Sequence, residues 1–218
     1  MQEFWQSLIQ YAINIDIFDI LDFLGLVFGL LAVYFLIKES IFTWPSGIIY
    51  ILISFVIFWQ QRLYGDFILH IIFLILNIYG WYYWIAGRKS GDKELPVTQT
   101  SSRMMTITLA ISVVGIMVFG YFLDNIHLIW TNLESASVPY WDATTSVLSF
   151  VGMWLTARKK IENWYFWFFV DVLATGIYIY KGIYFYAALY GIYIIMAVFG
   201  YLAWKRSMQI SQTQSEEA

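Results

Sequence analysis

Residues 162–182 read ENWYFWFFVDVLATGIYIYKG. The segment is apolar and has the length of ~20 residues that crosses a bilayer as a helix. Yet Asp171 sits in its middle, with Trp164, Trp167, Thr175 and Tyr178 around it. The steps from Trp164 through Trp167, Asp171, Thr175 and Tyr178 to Gly182 are three, four, four, three and four, so these residues share one helical face. A carboxylate facing lipid at that depth costs ~2.5 to 3.5 kcal/mol on insertion scales. Asp171 is therefore expected to face the interior of a helical bundle. Accepting hydrogen bonds from neighbouring helices and binding a solute are both open to it.

The rest of the chain belongs to the same class. Of 218 residues, 61% are hydrophobic and only 12% charged, against roughly 25% charged in an ordinary soluble domain. There is no cysteine, which excludes disulfides, thiolate catalysis and Cys-ligated metal centres. The two histidines, His70 and His127, form no metal-binding motif, and no cofactor or nucleic-acid partner is expected. Aromatic residues reach 21%, more than interfacial belts need, so some rings are expected to line a site.

Spanning segments are expected at 20–38, 45–61, 67–86, 104–123, 142–157, 163–180 and 183–204, which makes an all-α integral membrane protein of seven transmembrane helices. The segment at 142–157 is short and rich in Thr and Ser, as suits a helix facing protein or a cavity. Residues 1–19 place Phe4, Trp5, Leu8 and Ala12 at helical spacing and read as an interfacial helix. With the N-terminus outside, the cytoplasmic segments hold Lys38, Arg88, Lys89, Lys93, Arg103, Arg158, Lys159, Lys160, Lys205 and Arg206. The outer segments hold only Arg62 and Lys181. This bias agrees with the positive-inside rule. It leaves 87–103 as a polar cytoplasmic linker and 205–218 as a cytoplasmic tail, disordered over 209–218.

Sliding the sequence against itself by 120 positions superposes Asp22 on Asp142, Trp44 on Trp164, Tyr64 on Tyr184, Gly80 on Gly200 and Trp84 on Trp204, with no gap. Residues 20–86 and 142–204 are thus read as two three-helix repeats. Three is odd, so the span at 104–123 is needed between them for both to enter the membrane in the same direction. The expected architecture is 3+1+3 with parallel repeats and a solute site where the repeats meet. The polar groups are not duplicated: Asp171 corresponds to Ile51, Asn77 to Ala197 and Lys181 to Gln61. An asymmetric site suits an asymmetric solute. In the third span, His70, Asn77 and Trp84 share a stripe, with Gly80 and Trp81 beside it. Asn77 can hold a partner helix or a polar ligand, His70 reads as a packing residue, and Trp84 and Trp204 read as belt residues at the cytoplasmic ends. Aromatic walls with an amide and a carboxylate suit a planar ring joined to a hydroxylated part, or a cation.

The runs TWPSGIIY (43–50), LNIYGWYYW (76–84) and WDATTSVLSFVGMWLTARKKIENWYFWFFVDVLATGIYIYKG (141–182), continuing to Arg206, resemble the PnuC family of bacterial nicotinamide riboside transporters across all seven spans. The resemblance implies a fold related to the SWEET sugar transporters, a homotrimer in the bacterial inner membrane, and facilitated diffusion of nicotinamide riboside. A cytoplasmic riboside kinase, as functional partner in NAD biosynthesis, would make uptake one-way. Carried onto this chain, the substrate-binding shell would comprise Trp44, Gln61, Asn77, Trp81, Trp164, Trp167, Asp171 and Tyr178. Related transporters of thiamine or riboflavin on the same fold are the alternative. Alternating access would rock the two repeats, with loops near Trp44 and Lys160 gating the cytoplasmic side and those near Gln61 and Lys181 the outer side. An enzyme is not expected, because Asp22, Asp66, Asp142 and Asp171 are dispersed along the spans and form no evident catalytic pair. A retinal protein is excluded by the absence of lysine from 183–204.

Overall fold

A computed structural model describes residues 16–61, 64–87, 95–129 and 138–216. Among these residues the chain forms eight helices and no strand: α1 (Ile17–Ile37), α2 (Thr43–Gln60), α3 (Tyr64–Ala86), α4 (Ser102–Asp124), α5 (Ile126–Ile129), α6 (Pro139–Ala157), α7 (Asn163–Tyr180) and α8 (Tyr184–Glu216). Helices α1 to α4 and α8 are long and apolar enough to cross a membrane. Helices α6 and α7, 19 and 18 residues long, have the length, but Thr, Ser, Asp and aromatic side chains dilute their apolar character. Large side chains such as Ile111, Val118 and Phe199 are exposed around the outside of the bundle. Such a surface is at home in hydrocarbon and a liability in water.

Six of the long helices close into a ring in the order α1, α2, α3, α6, α7, α8 and back to α1, while α4 packs on the outside of α6. Under the 120-residue offset the ring maps onto itself, with the α3–α6 contact becoming the α8–α1 contact. The connecting turns obey the same offset. After α1, Glu39 N–H donates to Leu36 O at 3.0 Å and Ser40 N–H to Phe35 O at 2.9 Å; after α6, Lys159 N–H donates to Thr156 O and Lys160 N–H to Leu155 O, both at 2.9 Å. Glu39 and Lys159 occupy the left-handed region at φ 55° and 52°. This Schellman-like closure ends a helix and returns the chain within a few residues. A non-glycine residue there is unfavourable by about 1 to 2 kcal/mol.

Several expectations change. The helix expected over 1–19 lies mostly outside the described residues; residues 17–19 are the first turn of α1, where Asp16 N–H donates to the Asp19 carboxylate at 3.1 Å. The tail, expected to be disordered over 209–218, is helical through Glu216. No Gly or Pro interrupts 205–216, and extending a formed helix adds a hydrogen bond for each residue fixed. Met208, within this extension, is buried in a cluster with Leu95 and Val97. The linker is therefore not wholly a solvated segment: residues 95–100 dock on the α6–α7 turn, with Thr98 pairing with Lys160 as an isolated bridge. Residues 88–94 lie outside the described residues.

Trp84 and Trp204 are not belt residues. They are 3% and 0% exposed and meet at the middle of the ring, 6.2 Å apart. Trp84 Nε1–H donates to Thr156 O at 3.2 Å and Trp204 Nε1–H to Leu36 O at 2.9 Å. Thus each half sends an indole hydrogen bond to the equivalent carbonyl of the other, and an interfacial location would have left those donors to water. Trp204→Phe keeps most of the packing and removes one such bond. It is expected to cost about 1 kcal/mol, read as a lower melting temperature in detergent, and an unchanged melting temperature would deny the bond a role in holding the halves together.

Candidate functional site

The ring encloses a central cavity of about 290 Å³, near the lower end of the ~300 to 1,000 Å³ usual for small-molecule sites. Its walls are paired by the same offset. Trp44 and Trp164, Ile51 and Asp171, Asn77 and Ala197, His70 and Tyr190, and Phe73 and Tyr193 are equivalents that all line the cavity. Only the tryptophan pair is chemically symmetric. The backbone frame is duplicated and the lining is not, so an occupant meets a carboxylate on one side and aliphatic carbon on the other.

The two tryptophans are positioned by glycine. A Cβ added to Gly80 would collide with the ring of Trp44, and one added to Gly200 with the ring of Trp164. Each ring then meets the next tryptophan edge to face, Trp44 with Trp84 at 5.3 Å and Trp164 with Trp204 at 5.5 Å. Trp44 and Trp164 are 1% and 2% exposed, and their Nε1 atoms have no hydrogen-bond partner among the described residues.

Asn77 lies over Gly47, where a Cβ would come within 2.5 Å of its Oδ1. Its Nδ2 donates to Phe73 O at 2.9 Å, which fixes the amide while the side chain still borders the cavity. At the position equivalent to Gly47 stands Trp167. Its ring packs on Gly152 and its Nε1–H donates to Thr156 Oγ1 at 3.0 Å. Asp171 is buried in α7 and lines the cavity. Among the described residues no side chain donates a hydrogen bond to its carboxylate, and none forms an ion pair with it; Thr175 Oγ1 instead donates to its backbone oxygen at 2.7 Å. Among the described residues no lysine or arginine lines this cavity.

A second cavity of about 210 Å³ lies toward the end of the bundle that carries Lys181. It meets the first at His70, Phe73, Ser149, Val170 and Tyr190. Asp66, Asp142 and Lys181 line it. Sequence spacing had kept the acidic residues apart; the ring brings Asp66 of α3 beside Asp142 of α6. Among the described residues no three His, Asp or Glu side chains gather as a metal-binding group.

Of the eight residues singled out in the sequence, Trp44, Asn77, Trp164, Trp167 and Asp171 border the central cavity. Tyr178 borders the second one, where it stacks on Tyr186 and Tyr190 at 5.3 and 5.4 Å. Gln61 and Trp81 border neither. Gln61 ends α2 at the surface, its N–H bonded to Ile57 O. Trp81 is four residues beyond Asn77, about 40° farther round a helix of 3.6 residues per turn, which turns it outward to 37% exposure. Sequence reasoning missed Tyr50, Tyr190 and Tyr193, all of which line the central cavity. The spacing of Tyr190, Tyr193 and Ala197 marks one face of α8, but Tyr184, Tyr186 and Tyr201 on the same helix obscure it.

The model of the family described as "Nicotinamide mononucleotide transporter" matches residues 19–206. The nicotinamide riboside transporter PnuC of Escherichia coli is 28% identical over 204 residues, covering 86% of this chain and 85% of its own length. The riboflavin/roseoflavin transporter RibM of Streptomyces davaonensis is 26% identical over 185 residues, covering 84% and 83%. A crystal structure described as the vitamin B3 transporter PnuC superposes with a TM-score of 0.68 at 22% identity, covering 92% of this chain and 86% of that one. That likeness speaks for the fold, and all of these relatives are transporters.

Proposed function

The chain belongs to the nicotinamide mononucleotide transporter family, and on that premise we propose that it carries nicotinamide riboside, without its phosphate, across the bacterial inner membrane. The observation that carries this reading is the charge of the central cavity: Asp171 lines it and, among the described residues, no lysine or arginine does. Nicotinamide riboside is a planar pyridinium cation on a ribose, which suits a lone carboxylate between aromatic walls. The mononucleotide would bring a phosphate to a cavity with no guanidinium or ammonium to hold it. The riboside transporter from Escherichia coli, similar over 86% of this chain, supports the same substrate.

We read the ring as a 3+1+3 architecture of parallel repeats, with 20–86 and 142–204 as the repeats, 104–123 as the linking helix and the N-terminus outside. The binding shell is Trp44, Asn77, Trp164, Trp167 and Asp171, with Tyr178 on the approach; Gln61 and Trp81 would act only through a rearrangement. Transport is facilitated diffusion by alternating access, and a cytoplasmic kinase that phosphorylates the riboside makes uptake one-way. A homotrimeric assembly rests on the family resemblance alone.

Proteoliposomes are expected to equilibrate labelled nicotinamide riboside with no proton or sodium gradient, because Asp171 is the one carboxylate among the described residues lining the central cavity, and one carboxylate there does not make a proton relay. Accumulation that needs a proton gradient would overturn the uncoupled mechanism. Calorimetry on the purified protein is expected to show binding of the riboside and none of the mononucleotide. The similarity to RibM favours a second reading, riboflavin, whose ring is also planar but uncharged. Binding of riboflavin or thiamine without the riboside would keep the fold and replace the substrate.

A further inference from the structure

At the end of the central cavity opposite Lys181, Trp84 and Trp204 pack against the wall tryptophans Trp44 and Trp164. Against the Trp84 ring lies the ammonium of Lys159, on a side chain only 1% exposed. It pairs with Glu39 at 2.8 Å, donates to Leu95 O at 2.6 Å and sits 4.8 Å from the centre of the Trp84 ring. An ammonium has three protons to place, and the ion pair and the bond to Leu95 join three different parts of the chain. Glu39 belongs to the first half of the ring, Lys159 to the second, and Leu95 to the connection between them.

Glu39 and Lys159 are also equivalents under the 120-residue offset, and each holds the left-handed position of its turn. The same backbone device thus presents an acid from one half and a base from the other at the place where the halves meet. The connection is secured in turn. Thr98 N–H donates to Lys159 O and Ile161 N–H to Thr98 O, both at 3.1 Å, while Thr100 N–H and Oγ1–H each donate to the Glu162 carboxylate at 2.9 Å.

We propose that Lys159, Glu39 and the 95–100 strap form the gate of this transporter at its basic end, and that separation of Lys159 from Glu39 is the step that opens the central cavity there. Removing one member of a buried ion pair strands the other without compensation. The closed arrangement is held by bonds that an open one must break, whereas the opposite end continues into the second cavity. Solute leaving by the basic end has to pass this node. The gate rests on the transporter reading but not on the identity of the substrate.

The chain has no cysteine, so a single Val33→Cys, on the cavity wall, reports access to an impermeant thiol reagent. In inverted vesicles, where the basic end faces the bath under the proposed orientation, its labelling is expected to be slow. Lys159→Met should speed that labelling by about tenfold or more, since the closed state loses the ion pair and the strap contact together. Glu39→Gln, which keeps the Lys159 bond to Leu95, should produce a smaller increase in the same direction. It serves as the test if Lys159→Met fails to fold. Unchanged labelling in both variants, in protein that still binds nicotinamide riboside, would overturn the gate. Faster labelling in protein that does not bind the riboside would keep the gate and remove the substrate.

Discussion

Gly200→Val is expected to lower the melting temperature of the purified protein sharply and to abolish solute binding, and Gly80→Val to do the same from the other half of the ring. At Gly200 even a Cβ would collide with three atoms of the Trp164 ring, and at Gly80 with three of the Trp44 ring. Neither ring can move aside, since Trp164 and Trp44 are almost completely buried and are held edge to face by Trp204 and Trp84. Overpacking a close-packed core costs about 1 to 3 kcal/mol and occasionally more, and collision with a rigid indole belongs at the upper end. Stability should be lost even in Gly200→Ala. Combining that change with Trp164→Leu, which vacates the space, should recover part of the loss, giving a coupling that distant sites do not show. A Gly200→Ala protein with an unaltered melting temperature would mean that the ring yields easily and that the glycine is not what seats it.

Asp171→Asn is expected to weaken binding of nicotinamide riboside by about tenfold to a hundredfold, the factor for losing an interaction of ~1.5 to 3 kcal/mol with a charged group. The substitution is nearly isosteric, and no side-chain donor or ion-pair partner among the described residues depends on the carboxylate, so the fold should be retained. The informative comparison is the reduced riboside, whose dihydropyridine ring is neutral. Its affinity should stay level or rise in Asp171→Asn, because only the cation gains from the carboxylate. Equal losses for the charged and neutral ligands would assign Asp171 to shaping the cavity and remove the charge argument for the substrate.

Much of this was written locally. The apolar runs and the Lys and Arg bias place the helices, and the offset of 120 residues identifies Trp44 with Trp164 and Gly80 with Gly200 before any coordinates. Helical spacing alone also put Trp164, Trp167 and Asp171 on one face, and all three line the central cavity. The family resemblance added Gln61 and Trp81, and both lie outside the two cavities in this arrangement. Tyr50, Tyr190 and Tyr193 were hidden by the abundance of tyrosine, because composition does not say which of many rings points inward.

The sequence by itself determined the membrane class, the duplication and the mid-span carboxylate, Asp171, that breaks it, because hydropathy, charge bias and periodicity are properties of neighbouring residues. Only the tertiary structure decided that Trp84 and Trp204 cross at the centre, that Asp66 and Asp142 share a cavity, and that Lys159 reaches Glu39 and Leu95. Those contacts join residues 64 to 120 positions apart, and which long-range partners meet depends on how the ring closes. Closure is fixed by the packing of six helices together, which no single segment encodes.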